Sequence, residues 1–212
     1  MTSSYSTRSP RTQAQRSART KERLLEATID CWSEFGYART STSSIAQRAG
    51  VTRGALDHHY PSTGELVIAA ATYLTDRWSM DLIAAFADGE LSIPQQLDRL
   101  WSTHQGGICS AMIEVTIAAR TDPALACHWQ SVQDGLRPRN PAPPRSEPTR
   151  FPEWADTALD TICGLLMRTF TSSNPATARQ AHWPQLRQQL IMMIEGEAPT
   201  RSEHSSTTVP AG

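Results

Sequence analysis

The sequence predicts an all-α fold: three N-terminal helices, two of them short and joined as a helix-turn-helix, then a larger helical domain. Three observations carry this. No run of alternating Val, Ile or Thr bounded by turn dipeptides reads as a strand. Apolar residues recur instead at three- and four-residue spacing, between Gly, Pro and capping residues. Two short segments with apolar faces flank Gly50-Val51, the proportion of a helix-turn-helix.

The first helix is expected over Thr20 to Phe35, where Leu24, Ala27, Thr28, Cys31, Trp32 and Phe35 make one apolar face and Gly36 stops it. Ser41 is the expected N-cap of a second helix, Thr42 to Ala49, with Ile45, Ala46 and Ala49 inward. Gly50 ends that helix, and a third runs from Thr52 to about His59. Pro61 cannot comfortably continue it, and Ser62-x-x-Glu65 reads as a capping box opening a long helix to about Phe86. Ser92 and Pro94 start the next helix, with Leu97, Leu100, Trp101 and His104 on one face, and Gly106-Gly107 breaks it. Ile108 to Ala119 follows, with Met112, Val115 and Ala119 aligned. Asp122-Pro123 is an N-cap with Pro at the first helical position, leading to Leu125, Trp129, Val132 and Leu136. The proline density of residues 137–150 forbids helix and predicts an extended connection. Two helices close the chain. Ala155, Leu159, Ile162, Leu166 and Thr169 repeat at 4-3-4-3, and Trp183, Leu186, Leu190 and Met193 at 3-4-3. Asn174-Pro175 caps the last helix, although Pro184 suggests a start nearer Trp183. These stripes suit either a four-helix dimer seam or a core within one chain.

Composition narrows the class. The 212 residues are 39 % apolar, enough for a packed core. Met1 to Pro10 is polar, and the longest near-apolar run, Leu66 to Leu74, is far short of the roughly 20 residues a membrane span needs. A cytoplasmic protein without membrane association is expected. Cys31, Cys109, Cys127 and Cys163 are scattered without a C-x-x-C pair, which predicts reduced, mostly buried thiols. The net charge of −1 hides an asymmetry. Residues 1–66 hold nine Lys/Arg against six Asp/Glu, a net of +3, and Arg8, Arg11, Arg16, Arg19, Lys21 and Arg23 crowd the start. A basic arm ahead of a folded segment is a footprint of nucleic-acid binding, although a solvated tail has the same charge.

The stretch G-A-L-D-H-H-Y-P, residues 54–61, invites a metal or acid–base reading. Adjacent histidines on a helix point about 100° apart, so His58 and His59 cannot share a metal as an i, i+4 pair does. No third ligand has suitable spacing, and the chain has no G-x-S-x-G elbow. Neither a metal, a cofactor nor an enzymatic site is expected. In a helix-turn-helix the second helix enters the major groove. Its outward residues would be Thr52, Arg53, Gly54, Ala55, Asp57 and His58, with Leu56 and Tyr60 inward.

The runs I-A-Q-R-A-G-V (45–51), G-A-L-D-H-H-Y (54–60) and P-S-T-G-E-L (61–66) resemble the DNA-binding domain of the tetracycline-repressor (TetR) family of transcription regulators. The resemblance covers about residues 19–70, and A-A-R-T-D-P-A-L at 118–125 is also similar to stretches in many members. It implies an all-helical homodimer that binds an inverted-repeat operator in double-stranded DNA and holds a small effector in its C-terminal domain. By position, Thr42 and Ser43 would touch phosphate, Thr52, Arg53, Gly54, Ala55, Asp57 and His58 would face bases or backbone, and His59 and Thr63 would sit near phosphate. The sequence departs from the family pattern twice. Asp57 stands where members usually carry a neutral residue, and Thr63 where many carry lysine. A carboxylate near phosphates is repulsive unless it accepts from a cytosine amine or pairs with Arg53 at i, i+4.

Charge gives a flexible basic arm (1–18) and polar composition a disordered tail (196–212), and the resemblance implies the helix-turn-helix domain (19–66) and a helical effector-binding and dimerisation domain (67–195) between them. Trp78, Trp101, His104, Met112 and Trp129 are the expected lining of an apolar pocket, with His104 or Glu114 supplying polarity. The expected function is a sequence-specific transcriptional regulator, a repressor released from its operator by a hydrophobic small molecule. The alternative is a ligand-binding or enzymatic helical protein whose helix-turn-helix no longer reads DNA.

Overall fold

The computed structural model describes residues 12–87, 90–136 and 151–196, with the side chains of 131–136 excepted. Helices make up the described fold, in the order α1 (Gln13–Phe35), α2 (Thr42–Ala49), α3 (Arg53–His59), α4 (Thr63–Phe86), α5 (Ile93–Thr103), α6 (Gly107–Ala119), α7 (Pro123–Leu136), α8 (Ala155–Thr169) and α9 (Pro175–Gly196). A 3-10 turn, Tyr37–Arg39, joins α1 to α2.

Helix α1 starts at Gln13, seven residues before the start that apolar periodicity indicates. The Thr12 hydroxyl accepts from the Gln15 N–H at 3.3 Å, and the Gln15 side chain accepts from the Thr12 N–H at 3.0 Å. This reciprocal box satisfies end groups that an apolar stripe does not report. The arm expected over residues 1–18 is thus helical from Gln13, and residues 1–11 lie outside the described residues. At the other end of the chain, α9 begins at Pro175, not at Trp183. Asn174 accepts from the Thr177 N–H at 3.1 Å to start it, and Pro184 lies inside. The connection 137–150 and the tail from 197 lie outside the described residues, as do the Val132 and Leu136 side chains.

Three apolar clusters follow one another through the molecule. The first joins Leu24, Ala27 and Cys31 of α1 to Ile45, Ala46 and Ala49 of α2, and to Leu56, Tyr60 and Leu66. The second brings Ile29 and Trp32 of α1 against Ala70, Ala71 and Leu74 of α4, Ala111 and Val115 of α6, and Leu125 and Trp129 of α7. The third collects Leu82, Leu97, Leu100 and Trp101 with Ala158, Leu159, Ile162 and Leu166 of α8 and Trp183 and Leu190 of α9. Helix α4 contributes to all three. Its 24 residues span about 36 Å, so it links the short N-terminal helices to the far end of the fold. The boundary expected at residue 66 falls inside it: Leu66 belongs to the first cluster and Ala70 to the second.

The 4-3-4-3 stripe of α8 faces the chain's own core. Leu159, Ile162 and Leu166 pack against α5 and α9, so it is the core alternative that holds and the dimer-seam reading of this stripe is corrected. Periodicity marks an apolar face but not which chain covers it. The cysteines also divide: Cys31 and Cys109 are buried, whereas Cys127 and Cys163 are exposed, fewer buried than expected.

Among the described residues, no helix is long and apolar enough to cross a membrane.

Candidate nucleic-acid interface

The reading helix is built by local chemistry. Ser41 accepts from the Ser44 N–H at 3.1 Å and caps α2. Gly50 then turns left-handed at φ 62°, and its N–H bonds to the Ala46 and Gln47 carbonyls. Glycine is required there twice over. Positive φ strains other residues, and a Cβ would lie 2.8 Å from Arg23 Nη2. That Arg23 guanidinium donates to the Ala49 carbonyl and clamps α1 onto the turn. Thr52 caps α3 by accepting from the Ala55 N–H at 3.1 Å. Ser62 does the same for α4, accepting from Glu65 N–H at 3.1 Å.

Helix α3 is seven residues long, too short to persist alone. Leu56, 1 % exposed, and Tyr60 anchor its inner side in the first cluster. Thr52, Arg53, Gly54, Asp57 and His58 are exposed, and Ala55 and His59 are half-buried. Thr42 is half-buried and Ser43 exposed at the start of α2, and Thr63 is exposed at the start of α4. The helix ends that bear Thr42, Ser43 and Thr63 carry unshared N–H groups, which suit phosphate oxygens.

Arg53 and Asp57 do not stand apart. Arg53 Nε donates to Asp57 Oδ1 at 2.8 Å, and its Nη1 donates to Thr42 Oγ1. The carboxylate that would repel phosphates is thus neutralised by its i, i+4 partner. The same arginine ties α3 to the start of α2. Both side chains are about half exposed, so the pair contributes only some tenths of a kcal/mol to the fold.

His58 and His59 meet edge to face, with ring centroids 5.4 Å apart. Burial holds His59 below the usual imidazole range, and the neighbouring His58 and Lys21 charges add to that. Lys21 of α1 therefore belongs to this surface. In sequence Lys21 groups with the basic arm, and only the packing of α1 against α2 and α4 places its charge near His59. Arg16 and Arg19 are exposed on the same helix. Among the described residues, no group of three His, Cys, Asp or Glu side chains could hold a metal.

Of the residues expected to line a pocket, Trp78, Trp101 and His104 lie at the third cluster, and Met112 and Trp129 at the second. Trp78 and His104 meet edge to face at 5.8 Å. Trp101 stacks on Trp183 in the third cluster, at 4.4 Å and 1°. Trp129 is buried in the second cluster, with Met112 against it, and donates to Thr116 Oγ1 at 3.1 Å. Glu114 accepts from the Tyr37 N–H at 2.9 Å and lines a cleft that includes none of them. His104 is 1 % exposed. Its Nδ1 lies 2.7 Å from the Leu100 carbonyl, and its Nε2 has no partner among the described residues.

Burial lowers the His104 pKa from 6.5, opposed by the Leu100 carbonyl. The unfolded chain therefore takes this proton more readily than the folded one. The contribution is fully present above about pH 6.5 and is lost as pH falls below it. Urea unfolding at pH 7.5 and 5.5 should show lower stability at pH 5.5, with a smaller drop in His104→Gln. An equal drop in the variant would rule His104 out as the cause.

This geometry is that of a helix-turn-helix domain, with a short anchored helix presented outward and N-terminal helix ends on either side. Residues 24–70 match the family model described as bacterial regulatory proteins, tetR family. Through this N-terminal domain the chain is similar to members of the TetR family. It is 36 % identical over 126 residues to an HTH-type transcriptional regulator of Mycobacterium tuberculosis, covering 58 % of this chain and 64 % of that one. It is 34 % identical over 119 residues to the HTH-type transcriptional regulator CymR of Pseudomonas putida, covering 54 % and 58 %. In both cases the match spans less than two thirds of the relative's length. In overall fold it resembles the crystal structure of a transcriptional regulator from Rhodococcus sp., with a TM-score of 0.58 at 21 % identity, covering 83 % of this chain and 96 % of the other.

Proposed function

We propose that this chain is a sequence-specific DNA-binding transcriptional regulator, a cytoplasmic homodimer that represses from an inverted-repeat operator. The observation that carries the proposal is α3, held from beneath by Leu56 and Tyr60 while Thr52, Arg53, Gly54, Asp57 and His58 stand exposed. Phosphate contacts from Thr42, Ser43, His59, Thr63 and Lys21 set register, and the outward residues of α3 read bases. A two-fold dimer places its half-sites about 10 base pairs apart, or a multiple of that. The face of α8 and α9 left outside the core, with Gly164, Arg168, Gln185 and Gln189, is available to a second copy. A hydrophobic small molecule releases the DNA by moving α4, whose first turn directly follows α3. The unpartnered Nε2 of His104 beside Trp78 supports a polar anchor for it in apolar surroundings. Such release requires the ligand to prefer one dimer geometry, so a ligand that binds the dimer without changing its DNA affinity counts against it.

The test is binding of the purified protein to the DNA upstream of its own coding region, at two salt concentrations, with and without non-cognate competitor. Binding that survives the competitor establishes sequence-specific regulation. In that assay Arg53→Ala is expected to lose about 1–3 kcal/mol of discrimination between operator and mutated operator. Lys21→Ala should weaken all duplexes alike and reduce the salt slope by about 1. Uniform weakening by Arg53→Ala would make its role the α2–α3 tie alone. No binding at low salt would favour the alternative in which the helix-turn-helix no longer reads DNA.

A further inference from the structure

We infer that the cleft between the end of α1, the start of α6 and the start of α9 binds a small organic monocarboxylate, held by Arg179. The cleft has a volume of about 460 Å³, and its lining includes Phe35, Gly106, Gly107, Glu114, Phe170 and Arg179. Arg179 is 4 % exposed, yet its Nε has no hydrogen-bond partner, and it makes no hydrogen bond or ion pair among the described residues. A guanidinium cannot shed its proton, so a buried one without a counter-charge is costly to the fold. An anion entering the cleft removes that cost.

The start of α6 is a second, independent contribution. Its N-cap is Gly106, which has no side chain to occupy the first N–H groups of this 13-residue helix. Those groups and the positive end of the helix dipole favour an anion at the mouth of the same cleft. Two carboxylates and a second guanidinium, Arg39, which donates to the Phe35 carbonyl, also line it and limit the charge it accepts. Glu114 already accepts from the Tyr37 N–H, and Glu34 is paired with Arg48. Their presence disfavours a dianion such as phosphate, whereas a monocarboxylate matches the planar guanidinium fork. Phe35 and Phe170 give an apolar body somewhere to lie.

The inference does not rest on the DNA reading, and its test uses no DNA. The full chain is titrated calorimetrically with sodium benzoate, with the neutral isostere benzamide, and with inorganic phosphate. Benzoate should bind saturably at one per chain, with benzamide and phosphate weaker by about tenfold or more. Arg179→Met should abolish benzoate binding. Arg179→Lys, which keeps the charge and the fold but loses the planar fork, should weaken it by about tenfold and decides the matter if the methionine variant does not fold. Absence of benzoate binding, or binding undiminished in the folded variants, overturns the site. A preference for phosphate over benzoate overturns the assigned ligand class.

Discussion

Trp101→Ala is expected to lower the unfolding free energy by about 3–5 kcal/mol, the range for truncating a buried indole. Trp101 is 8 % exposed and lies flat on Trp183, with ring centroids 4.4 Å apart. That stack joins α5 to α9, and polar groups continue it outward. Trp183 Nε1 donates to Asp98 Oδ1 at 3.3 Å, and Arg187 grips both oxygens of Asp98 at 2.7 and 2.8 Å. Truncation removes a large apolar surface and leaves Trp183 facing a cavity. Asp98→Ala should cost much less, because Asp98 is half exposed and a surface ion pair is worth about 0–1 kcal/mol. Urea unfolding of both variants orders the two contributions. A Trp101→Ala loss below that of Asp98→Ala would show that the ion pair, not the stack, docks α9.

Leu56→Ala is expected to cost about 2–5 kcal/mol and to abolish operator binding. Helix α3 has only seven residues, and Leu56 is its one fully buried side chain, closing the cluster of Leu24, Ile45, Ala49 and Leu66. Without that anchor the helix loses its fixed angle to α2, and its outward residues lose their register against the groove. The second and third clusters do not include Leu56, so they should unfold as before. Two probes separate these effects: hydrogen exchange of α2 and α3 amides, and the global urea transition. Operator binding retained at full strength would mean that α3 is held by its caps and by Arg53 rather than by Leu56.

Much of the reading surface was legible without a structure, because short-range chemistry builds it. Ser41, Thr52 and Ser62 each cap a helix by accepting from the N–H three residues onward, and Gly50 is forced by a left-handed turn. Leu56 and Tyr60 turn inward as helical spacing requires. The start of α1 was written just as locally, in Thr12-x-x-Gln15, but its first turns bury nothing and so leave no apolar stripe. The departure at Asp57 was visible too, and its pairing with Arg53 was one of two resolutions that spacing allowed.

What the tertiary structure alone decided depends on which faces meet. The stripe of α8 could have been a seam between chains or a core within one, and packing against α5 and α9 chose the core. Of the candidate pocket residues, Trp78 and Trp101 lie with the third cluster and Met112 and Trp129 with the second, because each helix turns its stripe toward a different neighbour. The Lys21 charge comes near His59 only through the packing of α1 against α2 and α4, and Arg179 comes to the cleft with Gly106 only through the docking of α9. A cap, a left-handed glycine and an apolar period are set by residues within one or two helical turns. The placement of a buried charge or a stacked indole is set by contacts many tens of residues apart, and only the folded chain fixes those.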